Sequence, residues 1–177
     1  LTLTRPNPLV KVANKTFMEH NLAALEGLAD EAILIVGYRS EMIRQKFGSR
    51  FGKLKLRYVE QKEQLGTAHA ALQTDKLLKD RFILMNGDDI FSREDIGNCL
   101  KHKYAMLAAE VSDPSKYGVI EAKKGRLVNL VEKPANPKSN LINPGFYLVS
   151  RAIFPIIKKL QPSARGEYEI TDAITQL

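Results

Sequence analysis

Tryptophan is absent from this chain, cysteine occurs once and histidine three times. A single cysteine, Cys99, excludes an intramolecular disulfide and fits a reducing compartment such as the cytoplasm. The histidines, His20, His69 and His102, are scattered without metal-ligand spacing and read as structural. Neither a Ser-His nor a Cys-His nucleophilic arrangement is visible. No apolar run reaches the ~18–20 residues that a membrane-spanning helix needs. No basic stretch followed by an apolar core marks a secretory N-terminus. Internal repeats and low-complexity segments are missing as well.

What remains is ordinary globular material: 177 residues, 44% hydrophobic and 27% charged, long enough for one full core. The formal charge of +7 would suit nucleic acid, a membrane surface or phosphorylated small molecules. Its cations are dispersed, however. "KLLKDR", "KHK", "AKKGR" and "IKKL" sit at the ends of apparent elements, where they suit helix C-termini and turns. Without a basic patch interleaved with aromatics, nucleic acid is disfavoured as a partner, no membrane contact is expected, and phosphorylated metabolites stay open.

Periodicity alternates between helix and strand. Phe17, Met18, Leu22, Leu25 and Leu28 recur at helical spacing. "AILIVGY" is a continuous apolar run, as for a strand buried on both faces. Ser40 is positioned to cap a helix reaching Phe47, "LKLRYVE" reads as the next strand, and Thr67 to Leu78 as the next helix. "FILMNGDD" is a buried strand ending in carboxylates. Ser92 and Asp95 have capping-box spacing for a helix to about Tyr104, and "AMLAAEV" follows as a strand. This alternation argues an α/β fold with a parallel sheet covered by helices. Beyond Val111 the style becomes antiparallel or mixed, with a hairpin turning near Gly125, an extended "LINPGFYLV", and helices near Ser150–Leu160 and Tyr168–Leu177.

In open α/β sheets ligands bind at the carboxyl ends of strands, and three polar clusters fall there. The first is Gln61 to Thr67. Gly66 opens a helix start with free N–H groups, and the Gln61 amide both donates and accepts, which suits a pyrimidine edge; a plain polar loop is the alternative. The second is Asn86 to Asp89, where one carboxylate could take a hard cation such as Mg²⁺ or could serve a turn. The third joins Glu132, Lys133 and Pro134 to Asn143, Pro144 and Gly145. A glycine inside that apolar strand suggests a bulge or close approach by a ligand. By themselves, Lys15 reads as a solvated lysine before a helix and Tyr117-Gly118 as a turn.

In order, "LTRPNPLVKVANKTFMEH", "EQKEQLGTAHA", "ILMNGDDIF", "DPSKYGVIE", "LVEKPANPKSNLINPGFYLVS" and "GEYEITDAI" resemble the sugar-1-phosphate nucleotidylyltransferase family. The likeness covers nearly the whole chain. It implies a Rossmann-like three-layer α/β/α nucleotidyltransferase fold with a mixed, mostly parallel sheet. It also implies one catalytic domain over residues 1–177, incomplete at both ends: the family's glycine-rich "GxGTR" loop would precede Leu1, and a second metal-binding residue would follow "EITDAI". The implied substrates are UTP or dTTP and a sugar 1-phosphate, with Mg²⁺ as cofactor and a homo-oligomer as the assembly.

Residue by residue, the resemblance gives Gln61, Gly66 and Thr67 to the base. It gives Asp88 to Mg²⁺, and Gly118, Glu132, Asn143 and Gly145 to the sugar pocket. Lys133 would meet the phosphate of the sugar phosphate, and Lys15 would contact phosphate; Asp88, Lys133 and Lys15 would then carry the chemistry. Two departures stand out. Asn7 occupies the place of the family's lysine in "RPKPL", and Asn14 and Thr16 replace the usual neighbours of Lys15. A non-catalytic nucleotide-sugar-binding or regulatory subunit on the same fold is the alternative, and Asn7 favours it.

Overall fold

A computed structural model describes residues 4–177. A 3-10 turn at Asn7–Leu9 leads into β1 (Lys11–Val12), β2 (Lys15–Thr16), α1 (Phe17–Leu25), β3 (Glu31–Val36), α2 (Ser40–Phe47), β4 (Arg50–Phe51), β5 (Leu54–Glu60), α3 (Thr67–Leu72) and β6 (Arg81–Met85). Then come α4 (Arg93–Leu100), β7 (Ala105–Met106), β8 (Ala109–Glu110), a 3-10 turn at Pro114–Lys116, β9 (Gly118–Lys123), β10 (Arg126–Glu132), β11 (Leu141–Asn143), β12 (Phe146–Ser150), α5 (Ile153–Ile157) and α6 (Ile170–Gln176). Among the described residues no helix is long and apolar enough to cross a membrane. The chain forms two compact units: one holds the chain up to Gln64 with Asn86–His102, the other Leu65–Met85 with Lys103–Leu177.

In the first unit β3 runs parallel to β5, with Glu31 opposite Lys55 and Val36 opposite Glu60, and β4 turns back antiparallel onto β5. A two-residue turn at Ala13 and Asn14, φ 48° and 67°, closes the β1–β2 hairpin. Two left-handed residues give the turn whose twist matches paired strands, and asparagine tolerates that region well. The hairpin feeds α1 through a capping box. The Thr16 hydroxyl accepts from the Glu19 N–H at 3.2 Å, and the Thr16 N–H donates to the Glu19 carboxylate at 2.7 Å. Those bonds, helped by Lys46, pull the Glu19 pKa from the ordinary 4.5 to about 2. Met18, Asn21, Leu22 and Leu25 form the buried face of α1. Ser40 is not a cap: Arg39, in the left-handed region at φ 51°, precedes α2, and no side chain caps it.

The second unit contains two sheets, ordered β10-β9-β11-β8 and β6-β12-β7. Strand β12, buried at Phe146, Tyr147, Leu148 and Val149, lies antiparallel between β6 and β7. Its core includes Ala68, Tyr147, Ile153, Phe154, Ile170 and Ala173, and Phe82 stacks on Phe154 at 5.7 Å between centroids. Lys124 and Gly125, both at positive φ, turn the β9–β10 hairpin at the expected place.

The α/β class and mixed sheets agree with the sequence. Parallel pairing is scarcer than expected: β3 with β5 is parallel, whereas β6, read as one more strand of a parallel series, pairs antiparallel with β12. A continuous apolar run says nothing about strand direction, and burial on both faces is not reached either: residues 82–85 on β6 and 32–35 on β3 are half-buried and only Val36 is buried. "AMLAAEV" divides into β7 and β8, which pair with β12 and β11 in different sheets. The helix after Thr67 ends at Leu72, where turn bonds such as Leu77 N–H to Thr74 carbonyl take over.

Candidate active site

In the first unit the Asn86–Asp89 turn is gripped from two sides. The 3-10 turn after Pro6 brings the Asn7 amide to donate to Asp88 Oδ2 at 3.2 Å. Pro8 lies against Gly87 so closely that a Cβ there would come within 3.2 Å of its ring. From α1 the buried Asn21 donates to the Asp89 carbonyl at 2.8 Å and accepts from the Phe91 N–H at 3.3 Å. Asp88 itself is exposed. Asp89 is half-buried, and desolvation raises its pKa; the neighbouring Asp88 charge adds to this and a bond from Asn86 opposes it. Both aspartates present oxygen donors suited to a hard cation. Among the described residues no group of three or more His, Cys, Asp or Glu could hold a metal ion by itself.

At the end of β5 the Gln61 N–H donates to the Val36 carbonyl at 2.8 Å. The Gln61–Gln64 bend rests on Gly37, where a Cβ would meet Gln64 Nε2 at 3.2 Å and the Gln61 carbonyl oxygen at 3.4 Å. Lys15 lies exposed on β2, paired with Val12 in the hairpin.

In the second unit strand register lines up residues that are distant in sequence. Gly118 on β9 stands opposite Glu132 on β10 and opposite Asn143 on β11. A Cβ on Gly118 would lie 3.1 Å from Glu132 Oε2 and 3.5 Å from Asn143 Nδ2, so both side chains converge over a position that lacks one. The Asn143 side chain is fixed at both ends: its amide donates to the Tyr147 hydroxyl and its oxygen accepts from the Gly145 N–H at 3.0 Å. Gly145, at φ 80°, makes the bend between β11 and β12 that this bond requires. Burial pushes the Tyr147 hydroxyl pKa up, and the Glu132 charge adds to it. Lys133 follows at φ 44°, exposed, with its N–H on the Tyr117 carbonyl at 3.0 Å.

Glu132 is itself half-buried. Desolvation raises its pKa most, the charges of Glu169 and Asp172 add, and Arg165 and Lys133 oppose. Gly66 and Thr67 belong to the same unit. Gly66, at φ 109°, is pressed against Tyr168, whose carbonyl oxygen would stand 2.6 Å from a Cβ. The Tyr168 N–H donates to the Leu65 carbonyl at 2.8 Å, the Ala68 N–H to the Tyr168 carbonyl at 2.9 Å, and the Ile170 N–H to Thr67 Oγ1 at 3.0 Å.

In the second unit a carboxylate and an amide that converge over a glycine suit hydroxyl groups; in the first unit the aspartate turn offers oxygen donors to a cation. The whole chain, residues 1–177, matches the family described as nucleotidyl transferase. The chain belongs to that family. The bifunctional protein GlmU of Methanocaldococcus jannaschii is 40% identical over 178 residues, which cover all of this chain and 43% of that protein. The UTP–glucose-1-phosphate uridylyltransferase AglF of Haloferax volcanii is 36% identical over 187 residues, covering all of this chain and 76% of the relative. A UDP-glucose pyrophosphorylase solved with UDP-glucose superposes with a TM-score of 0.84 at 21% identity, over 98% of this chain and 78% of that one; this likeness is one of fold. The chain spans less than half the length of the first curated relatives it matches.

Within this nucleotidyl transferase chain, Gly118, Glu132, Asn143 and Gly145 come together as one cluster, with Lys133 beside it. Gly66 and Thr67 differ from expectation in what occupies them. The space that glycine opens is filled by the Tyr168 backbone, and the threonine hydroxyl already accepts a backbone N–H. Sequence reading passed over Asn21, Tyr147, Arg165 and Glu169. An amide amid the apolar spacing of α1 was the visible signal for Asn21, and a glutamate between Tyr168 and Ile170 was the one for Glu169.

Proposed function

We propose that this protein is a sugar-1-phosphate nucleotidylyltransferase, moving UMP or dTMP from a nucleoside triphosphate to a sugar 1-phosphate with release of pyrophosphate. The observation that carries the reading is the Glu132–Gly118–Asn143 row in a chain of the nucleotidyl transferase family. A carboxylate acceptor and an amide that converge over a glycine suit sugar hydroxyls, because no side chain of the strand between them stands in their way. The relative AglF, named as a uridylyltransferase of glucose 1-phosphate, supports UTP as the first nucleotide to test.

In this reading a phosphate oxygen of the sugar 1-phosphate attacks the α-phosphorus in line, forming the new P–O bond as the bond to pyrophosphate breaks. The nucleophile is already anionic, so no side chain need remove a proton. Positioning and charge neutralisation carry the step. Lys133 meets the attacking phosphate, and Lys15 adds positive charge toward the nucleotide phosphates. Gln61 reads the base edge while Gly66 and Thr67 shape the loop that receives it. Asp88, backed by Asp89, would hold Mg²⁺, a cation commonly bound by one or two carboxylates with substrate phosphates and water completing its shell. Bound there, the ion supplies neutralisation of phosphate charge.

The test is pyrophosphate release by the full-length protein over a matrix of nucleoside triphosphates and sugar 1-phosphates, with and without Mg²⁺. Turnover with one uridine or thymidine pair is expected. Nucleotide binding without turnover on any pair favours the second reading, a regulatory nucleotide-sugar-binding subunit. That reading has one observation behind it: the neutral amide of Asn7, not a cation, contacts Asp88.

A further inference from the structure

Among the described residues Glu169 is the one buried carboxylate, at 3% exposure, and the roles above leave it unused. Three donors converge on its Oε1 atom: Ser163 Oγ at 2.9 Å, Arg165 Nε at 3.1 Å and Arg165 Nη2 at 2.8 Å. The loop that supplies them is closed on itself. The Ser163 N–H donates to the Glu167 carbonyl and the Gly166 N–H to the Ser163 carbonyl, each at 2.8 Å, while Ser163 Oγ also accepts from the Arg165 N–H at 3.2 Å. Arg165 reaches further: Nη2 lies 3.9 Å from Glu132 Oε1 and 3.5 Å from Glu167 Oε2. The guanidinium therefore stands between a buried carboxylate that fixes it and the carboxylate that leans over Gly118.

We propose that Glu169 is a positioning residue for the sugar 1-phosphate, holding the Arg165 guanidinium beside Glu132 so that the Glu132 carboxylate stays oriented over Gly118. This rests on the functional reading above. A planar guanidinium gripped through two of its nitrogens loses its swing and presents its remaining N–H groups in a fixed direction. Burial and the Glu169 charge push the Glu132 pKa up, and Arg165, the cation that faces it from this loop, opposes them. The Glu169 charge acts on Glu132 more strongly than Arg165 does, so what Glu169 contributes is the placement of the guanidinium, 3.9 Å from Glu132 Oε1. The same segment carries Tyr168 and Ile170, which bond to Leu65, Ala68 and Thr67, so the arginine loop is anchored at its far end too.

The experiment is steady-state kinetics of pyrophosphate release by the full-length Glu169→Gln variant. Sugar 1-phosphate KM is expected to rise about tenfold while nucleotide KM moves less than about twofold. Adding Arg165→Ala to Glu169→Gln is expected to cost no more than Arg165→Ala alone, because the two act as one unit. Equal changes in both KM values, no change, or additive losses would overturn the proposal. If Glu169→Gln fails to fold by circular dichroism, Ser163→Ala removes one contact to the same oxygen and must shift KM in the same direction. Should the wild type turn over no pair, the activity reading fails, and nuclear magnetic resonance still decides this inference. The Arg165 Nε–H signal of the wild type is expected to move on adding glucose 1-phosphate and that of Glu169→Gln to stay put; identical behaviour of the two proteins refutes it.

Discussion

Gly66 lies against the backbone of Tyr168, so close that a side-chain carbon on it would stand 2.6 Å from the Tyr168 carbonyl oxygen and 2.8 Å from its nitrogen. Backbone cannot swing aside as a flexible side chain can, and φ 109° with ψ 177° is a region essentially reserved for glycine. Gly66→Ala should therefore lose about 2 kcal/mol or more of folding stability. Thermal unfolding checks it. A variant as stable as the wild type, weakened in nucleotide binding alone, would mean that the glycine exists to admit a ligand.

Gly118 makes the contrasting case. A methyl group there meets the Glu132 carboxylate at 3.1 Å and the Asn143 side chain at 3.5 Å, and its φ is not in the left-handed region. Gly118→Ala should fold, and its sugar 1-phosphate KM should rise by about tenfold or more as the methyl group pushes the Glu132 and Asn143 side chains aside. Nucleotide KM serves as the internal control. If both constants stay at wild-type values, Glu132 and Asn143 over Gly118 are not where the sugar binds.

Asn7 is bonded to Asp88 at 3.2 Å. Replacing it by lysine would set a cation against that carboxylate and pair with it in competition with a metal ion. Asn7→Lys should raise the Mg²⁺ concentration needed for half-maximal activity and weaken Mn²⁺ binding, followed by electron paramagnetic resonance with nucleotide present. Because the contact is exposed, stability should change by no more than about 0.5 kcal/mol. A gain in activity at unchanged Mg²⁺ demand would show instead that the chain lacks a phosphate-neutralising charge.

Acid should loosen the start of α1. The Glu19 pKa falls from 4.5 to about 2 in the folded chain, chiefly through its bonds with Thr16. A depressed acid stabilises fully above its unfolded pKa, and that contribution disappears as pH drops from about 4.5 toward 2. Thr16→Ala should cost about 1 kcal/mol near neutrality by removing the cap. The gap between variant and wild type should narrow across that acid window in urea titrations. A constant gap from pH 6 to pH 2 would argue against the Glu19 linkage.

Much of this was legible in the residues because local chemistry wrote it there. "LKLRYVE" is β5 as read, the turn at Gly125 is where glycine places it, and Ser92 accepts from the Asp95 N–H at 3.0 Å as its spacing promised. The row of Glu132, Gly118 and Asn143 was legible as three residues but not as neighbours, since register depends on strand pairing across the chain. The direction of β6 was hidden for the same reason. Arg165 and Glu169 were hidden differently. An arginine and a glutamate four apart look like a solvated pair, and only the burial of Glu169 distinguishes them.

The central claim is nucleotidyl transfer itself. Phosphorus-31 nuclear magnetic resonance of the full-length protein with Mg²⁺, UTP and glucose or N-acetylglucosamine 1-phosphate observes it directly. The account predicts that the triphosphate and sugar phosphate signals decay together while nucleotide-sugar diphosphate and pyrophosphate signals grow in equal amounts. Signals that shift on binding but never convert, with dTTP as with UTP, would contradict it.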